Sequence, residues 1–207
     1  MTTALLQTTY FGPVQWYQKL YRYDRCLIEQ HDSYQKQTYR NRCVIATANG
    51  LQALTVPVEH GTTTLEQETI KTKDLRISDH NQWRRVHWNA LQSAYSESPF
   101  FEYYADDIRP FFEQKYDYLI DFNEAIRQKM CELIDIHPQV VYSSAFMADS
   151  PEAADFRDVI HAKHPQPDAD FGPKRYWQVF QHKHGFLPNL SILDLLFCMG
   201  PESVFYL

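Results

Sequence analysis

Ala4-Leu5-Leu6-Gln7-Thr8-Thr9, then Gly12-Pro13, then Val14-Gln15-Trp16-Tyr17-Gln18-Lys19-Leu20-Tyr21, is the stretch that decides the fold. Its first part is a short apolar run suited to a buried strand, and the Gly-Pro pair breaks it. Pro13 fits the first turn of a helix, where its missing N–H costs nothing. A second apolar run, Cys26-Leu27-Ile28, follows the helix. Residues 4–30 therefore read strand, helix, strand, the outline of a βαβ unit, and place the chain in the α/β class.

Outward from this unit, two β-rich runs, Cys43 to Ala48 and Leu51 to Val58, flank Asn49-Gly50, the preferred pair for a two-residue type I′ hairpin. His60 to Lys73 is polar and aperiodic and reads as a surface loop before a strand at Leu75 to Ser78. Ser78 or Asp79 is placed to cap a helix whose inner stripe is Trp83, Val86, His87, Ala90, Leu91 and Ala94, ending near Ser98-Pro99. Helices over Phe100 to Gln114 and Tyr116 to Ile136 follow. From His137 to Pro173 five prolines exclude long regular elements beyond a turn or two near Pro151 to Ile160, so this part is expected to wrap the body. Tyr176-Trp177-Gln178-Val179-Phe180 reads as extended. Asn189 to Phe197 reads as a capped helix, apolar all round and hence buried, stopped by Gly200-Pro201. The expected fold is thus α/β, with a small mixed sheet from the N-terminal half, a β-hairpin at 43–58, a helical middle and a buried C-terminal helix.

The chain has 207 residues, a size that suits one domain, and its 44% hydrophobic and 22% charged content is that of a soluble globular protein. No apolar run approaches the roughly 18 residues needed to cross a bilayer, and the first residues lack the basic and apolar regions of a secretory signal, so a cytoplasmic location is expected. A net charge of −6 argues against a grip on duplex nucleic acid. Cys26, Cys43, Cys131 and Cys198 lie far apart with no C-x-x-C pair and read as reduced core thiols. Fourteen Tyr, 13 Phe and 4 Trp beside only 6 Gly suggest aromatic residues lining a pocket or interface.

Four constellations offer chemistry. Asp194 lies among Leu190, Ile192, Leu193, Leu195, Leu196 and Phe197, so its carboxylate must be paired, hydrogen-bonded or protonated. It reads either as a general base or orienter, or as a structural ion pair, and is expected to be largely buried against a cationic or hydrogen-bond donor side chain, with an Arg of the 40–42 strand, Arg84 or His87 foremost. Lys36-Gln37-Thr38-Tyr39-Arg40-Asn41-Arg42 precedes a strand, and an extended chain puts Arg40 and Arg42 on one face, ready to hold phosphate or carboxylate. The alternative is a solvated basic strand edge. His87, on the apolar stripe beyond Trp83 and Arg84, reads as an acid or base, or as a satisfied core histidine. His161, His164, His182 and His184 lack a neighbouring carboxylate or Cys to complete a metal site, and none is assigned. No phosphate loop, dinucleotide fingerprint or hydrolase elbow is spelled.

Read in order, Phe11-Gly12-Pro13-Val14-Gln15-Trp16-Tyr17-Gln18-Lys19-Leu20, Gln37-Thr38-Tyr39-Arg40-Asn41-Arg42, Leu54-Thr55-Val56-Pro57-Val58, Trp83-Arg84 with His87, Ala94-Tyr95 before Pro99-Phe100-Phe101, and Leu190 to Phe197 with Gly200-Pro201 resemble the WbqC-like proteins over nearly the whole chain. Thr8-Thr9 stands where the family pattern has Gln-Pro, Gln15 where it has Gly, and the shortened stretch between Ile136 and Tyr176 resembles the compact branch common in Bacteroidetes. The resemblance implies a cytoplasmic enzyme of bacterial surface polysaccharide synthesis, an acyl- or aminoacyl-transferase or ligase acting on a nucleotide-linked amino sugar with ATP or acyl-CoA as co-substrate. Its alternative is a non-catalytic binding protein of the same pathway. The opening strand, Pro-bearing turn and helix also resemble nucleotidyltransferase folds, although Pro13, Val14, Gln15 and Trp16 occupy the positions of their His-x-Gly-His motif. On this reading His87 and Asp194 are catalytic, Arg40, Asn41, Arg42, Trp83, Arg84, Tyr95 and Gln178 bind substrate or phosphate, and Arg40, Asn41, Arg42, Trp83, Arg84 and His87 are expected to converge on one pocket.

Overall fold

The computed structural model describes residues 1–59, 70–148 and 152–207. The βαβ unit consists of β1 (Thr3–Gln7), α1 (Val14–Arg22) and β2 (Arg25–Glu29), with β1 and β2 parallel in a register that runs from Thr3 opposite Arg25 to Gln7 opposite Glu29. Pro13 stands just outside α1, its extended backbone bridged to Ser191. The hairpin strands β3 (Arg42–Thr47) and β4 (Gly50–Thr55) form a separate antiparallel sheet. Two short strands from the proline-rich stretch, β5 (Val140–Tyr142) and β6 (Ala154–Asp155), extend the first sheet to four parallel strands in the order β5-β2-β1-β6. The parallel and antiparallel strands therefore lie in two sheets.

The hairpin turn differs in type from the expectation. A type I′ turn needs a left-handed backbone at both central residues. Here Ala48 and Asn49 are not left-handed, and only Gly50 is, with φ at 104°. The left-handed residue thus follows the two-residue loop Ala48-Asn49 and is not part of it.

In the middle lie α2 (Trp83–Tyr95), α3 (Phe101–Ile108), α4 (Pro110–Glu113) and α5 (Leu119–Leu133). Neither Ser78 nor Asp79 caps α2. A 3-10 turn over His80–Gln82 intervenes, and the Asp79 carboxylate is occupied by Arg84 at 2.5 Å and Lys115 at 2.6 Å. Val86 falls off the inner stripe of α2 and is exposed, and the buried side consists of Trp83, His87, Leu91, Ala94 and Tyr95. The single helix expected from Phe100 to Gln114 is divided at Arg109-Pro110, where proline offers no N–H to the ladder. α5 begins at Leu119 and not at Tyr116 because the backbone just before it pairs with residues 75–77: Ile77 N–H donates to Asp117 and Leu119 N–H to Leu75. That pairing and a bridge from Val58 to Ile77 replace the expected strand at Leu75 to Ser78. The loop expected at His60 to Lys73 lies outside the described residues over positions 60–69, as does Pro151 of the expected turn. Thr72–Asp74 forms a 3-10 turn.

Residues 176–180 run alongside the last helix without joining a strand, followed by α6 (Gln181–His184). Ser191 caps α7 (Ile192–Met199) by accepting the Leu193 N–H, and Gly200 closes it with φ at 56°. All of α7 from Ile192 to Cys198 is buried, packed on α1, β3 and α3. Every residue of α1 from Val14 to Leu20 is buried too, including Gln15, Gln18 and Lys19. The segment after β6 covers that polar face: Asp168 meets Lys19 at 2.7 Å and Gln15 at 2.8 Å, and the Asp170 carbonyl accepts Gln18. The four cysteines are free and buried. Among the described residues no helix is long and apolar enough to cross a membrane.

Candidate functional site

In a parallel sheet all carboxyl ends share one edge, and α/β sheets take their ligands outside it. Here that edge carries Gln7 at the end of β1, Glu29 at the end of β2, Ser143 after β5 and Arg157 after β6. Glu29 is fully buried and accepts from Ser143 Oγ (2.8 Å), the Met147 N–H (2.8 Å) and the His31 N–H (2.7 Å), with Arg157 at 3.8 Å. Burial pushes its carboxyl up, but those hydrogen bonds outweigh the burial and leave it below its ordinary value. Asp32, three residues on, forms an ion pair with Arg40 and accepts from Thr72 Oγ1. Asn123 of α5 reaches the same edge, donating to Thr8 Oγ1 at 3.2 Å and to the Arg40 carbonyl at 2.8 Å. Gln7 donates to the Ile160 carbonyl at 2.7 Å.

Several buried atoms of this edge meet no partner among the described residues: Gln7 Oε1, Thr9 Oγ1, Arg40 Nε and Asn123 Oδ1. A buried polar atom left unpaired costs about 1–3 kcal/mol. All four lie on residues at or beside this edge and leave donor and acceptor capacity there unfilled by the described residues.

The residues singled out from sequence fall into three groups. Arg40 belongs to the carboxyl edge. It lies in a turn over residues 36–40 and not in an extended run, so it turns inward to Asp32 and does not share a strand face with Arg42. The second group surrounds the base of the hairpin. Asn41 donates to the Val56 carbonyl at 2.8 Å, and Arg42 Nε donates to Thr55 Oγ1 at 3.1 Å. The His87 ring also meets the Thr55 main chain, while its Nδ1 is 2.9 Å from the Tyr10 hydroxyl. Trp83 lies edge-on to His87, donates Nε1 to the Ser78 carbonyl and carries the Arg84 guanidinium 4.5 Å above its ring. Burial drives the His87 pKa down to about 4, against the Thr55 contact. The third group lies deep in the core. Asp194 accepts from Tyr95 Oη (2.9 Å), Tyr176 Oη (2.7 Å) and Gln178 Nε2 (3.0 Å). The expected arginine or histidine partner is therefore replaced by three neutral donors, because α7 packs on the aromatic core and away from the basic turn. Burial raises the Asp194 pKa, and its three donors oppose the rise. Of the residues expected to converge on one pocket, Asn41, Arg42, Trp83, Arg84 and His87 gather at the hairpin base, where Arg42 and His87 both touch Thr55, whereas Arg40 turns away to Asp32; Asp194 lies apart.

Sequence reasoning missed Gln7, Glu29, Asp32, Asn123 and Arg157, and weighed His161 only as a metal ligand. Gln7 and Glu29 end the two strands of the recognised βαβ unit, so the carboxyl-end rule would have found them; the others arrive only by tertiary packing. Among the described residues no group of three or more His, Cys, Asp or Glu is arranged to hold a metal ion.

A family model described as the WbqC-like protein family matches residues 7–164. That span includes the whole carboxyl edge, from Gln7 to His161, and leaves out Tyr176, Gln178 and Asp194. The chain is 26% identical to the uncharacterized protein Rv1507c of Mycobacterium tuberculosis, over 99% of this chain and 96% of that protein. No solved structure matches it significantly.

Proposed function

Because this chain belongs to the WbqC-like protein family, we propose that it is a cytoplasmic enzyme of bacterial surface polysaccharide synthesis, transferring an acyl or aminoacyl group to a nucleotide-linked amino sugar. The carboxyl edge of the parallel sheet is its active site in this reading. What carries it is the set of unpaired buried atoms there, Arg40 Nε, Asn123 Oδ1 and Gln7 Oε1, beside two carboxylates. Arg40, with Nε unpaired and its far end fixed by Asp32 and by Thr38 at 3.2 Å, holds the phosphate; Asp32 and Glu29 offer negative charge to the amino group. Arg157 is fully engaged with Asp155, Glu29 and the Met147 carbonyl and acts on the ligand only by keeping Glu29 in place. His87 and Asp194, buried and satisfied, support the fold around the site.

ATP and acyl-CoA are the co-substrates such a transfer draws on. Thermal-shift screening of UDP-linked N-acetylated and free amino sugars, ATP and acetyl-CoA tests the reading, since a ligand at 100 times its Kd stabilises the native state by about 2.7 kcal/mol. A nucleotide sugar that raises the melting temperature and is acylated when a co-substrate is added is the expected result. A ligand that binds but is never turned over in any pairing favours the non-catalytic binding role, and a panel without any shift overturns both.

A further inference from the structure

His161 stands just past β6, next to Ile160, whose carbonyl accepts Gln7 Nε2 at the end of β1. Its Nδ1 accepts the main-chain N–H groups of Lys163 and His164, both at 3.0 Å. A ring nitrogen that receives two N–H donors presents its lone pair to them, so the single proton of the neutral imidazole sits on Nε2. Adding a second proton would place N–H against N–H and break both contacts. The charged and titratable neighbours are His164, its ring 5.6 Å away, with Asp158 and Arg40. Partial burial, then His164, hold the His161 pKa below its ordinary value, Asp158 opposes them and Arg40 adds to the lowering. Nε2 meets no protein group among the described residues.

We propose that His161 is a neutral hydrogen-bond donor fixed at the carboxyl edge, and that its Nε2–H binds a phosphoryl oxygen of the nucleotide-linked ligand. The proposal rests on the reading of this edge as the active site. Holding the tautomer through the main chain keeps the donor in place at every pH near neutrality and needs no carboxylate partner. A protonated histidine would add a charge; this one adds direction.

Two measurements on the full chain test it. Long-range proton–nitrogen NMR of the imidazoles reads the tautomer directly, and the expected result is His161 protonated on Nε2 and unprotonated on Nδ1 from pH 6.5 to 8. A proton on Nδ1 overturns the proposal whatever the ligand does. Titration with UDP-N-acetylglucosamine then separates the donor from its setting. His161→Ala is expected to weaken binding about tenfold, and His161→Gln, whose amide restores an N–H donor, to stay within about threefold of the native chain. Equal affinity in the Ala variant, with Gln7 and Asn123 side-chain amides still shifting on binding, rejects the role of His161 and leaves the site standing. Absence of those amide shifts in the native chain rejects the site, and with it this inference.

Discussion

His87 and Asp194 are both buried ionisable groups, and they resolve the cost of burial in opposite ways. Asp194 keeps its oxygens filled by two hydroxyls and an amide. Burial raises its pKa against those donors, so the folded chain takes up this proton more readily than the unfolded one and acidification relieves part of the cost of burying the group. His87 stays neutral, its pKa driven down by burial to about 4. The sign for His87 follows from the unfolded value of about 6.5. Below that pH the unfolded chain takes up a proton that the folded chain refuses until about pH 4. The contribution of His87 is therefore complete above 6.5 and is lost as the pH falls through this interval. The loss is on the order of 3 kcal/mol for this one residue. Urea unfolding of the native chain and of His87→Phe at intervals from pH 7 to pH 4 isolates it, because the carboxylates common to both cancel. The stability difference between the two is expected to shrink with acid by that order, and a difference independent of pH would show that His87 protonates in the folded chain as easily as in the unfolded one.

Two turns show how an element's end depends on a single glycine. Gly50 and Gly200 both have a left-handed backbone, with φ at 104° and 56°. A Cβ at position 50 would meet nothing within 4 Å, whereas one at position 200 would come within 2.6 Å of the Phe100 ring. Gly50→Ala is expected to cost only the backbone strain, about 1–2 kcal/mol. Gly200→Ala adds displacement of a ring packed against the end of α7 and is expected to cost more; chemical denaturation of the two variants ranks them, and equal losses would mean that Phe100 yields freely. The βαβ unit, the hairpin and α7 were readable from sequence because each is specified locally, by Gly12-Pro13, by Asn49-Gly50 and by Ser191 with Gly200. Turn type was not, since the dipeptide Asn49-Gly50 suits more than one way of placing the left-handed residue. The starts of α2 and α5 were misplaced because residues outside those helices compete for their ends: Asp79 is taken by Arg84 and Lys115, and Asp117 to Leu119 pair with residues 75–77.

The molecule as a whole is closed by its proline-rich stretch, and this decides how much of the site could be read in advance. Arg40 was visible as a basic residue beside a strand, but its partner Asp32 and the neighbouring Asn123 and His161 come from parts of the chain that no periodicity connects. The outer two strands of the parallel sheet are so short that they exist only through pairing with β1 and β2. What fastens the stretch down is the pair Lys19–Asp168, whose side chains are 0% and 5% exposed, with the Lys19 ammonium also 4.5 Å from the Phe156 ring centre. Burial pushes the Asp168 carboxyl up, and Lys19 and Gln15 more than reverse it. A buried pair of this kind adds little relative to an apolar replacement, yet removing one partner strands the other charge. Lys19→Met is therefore expected to cost about 3–5 kcal/mol, to raise the rate of proteolytic cutting within residues 157–175, and to leave that loss unaffected by salt. Lys19→Met combined with Asp168→Leu removes both charges and is expected to be more stable than the single Lys19 variant, a coupling that a double-mutant cycle measures. Additive losses, or a single variant within about 1 kcal/mol of the native chain, would show that apolar packing of Phe156 and Ile160 holds the stretch without the pair. In that case the carboxyl edge, which receives Arg157 and His161 from the same stretch, would owe its geometry to the core and not to this buried ion pair.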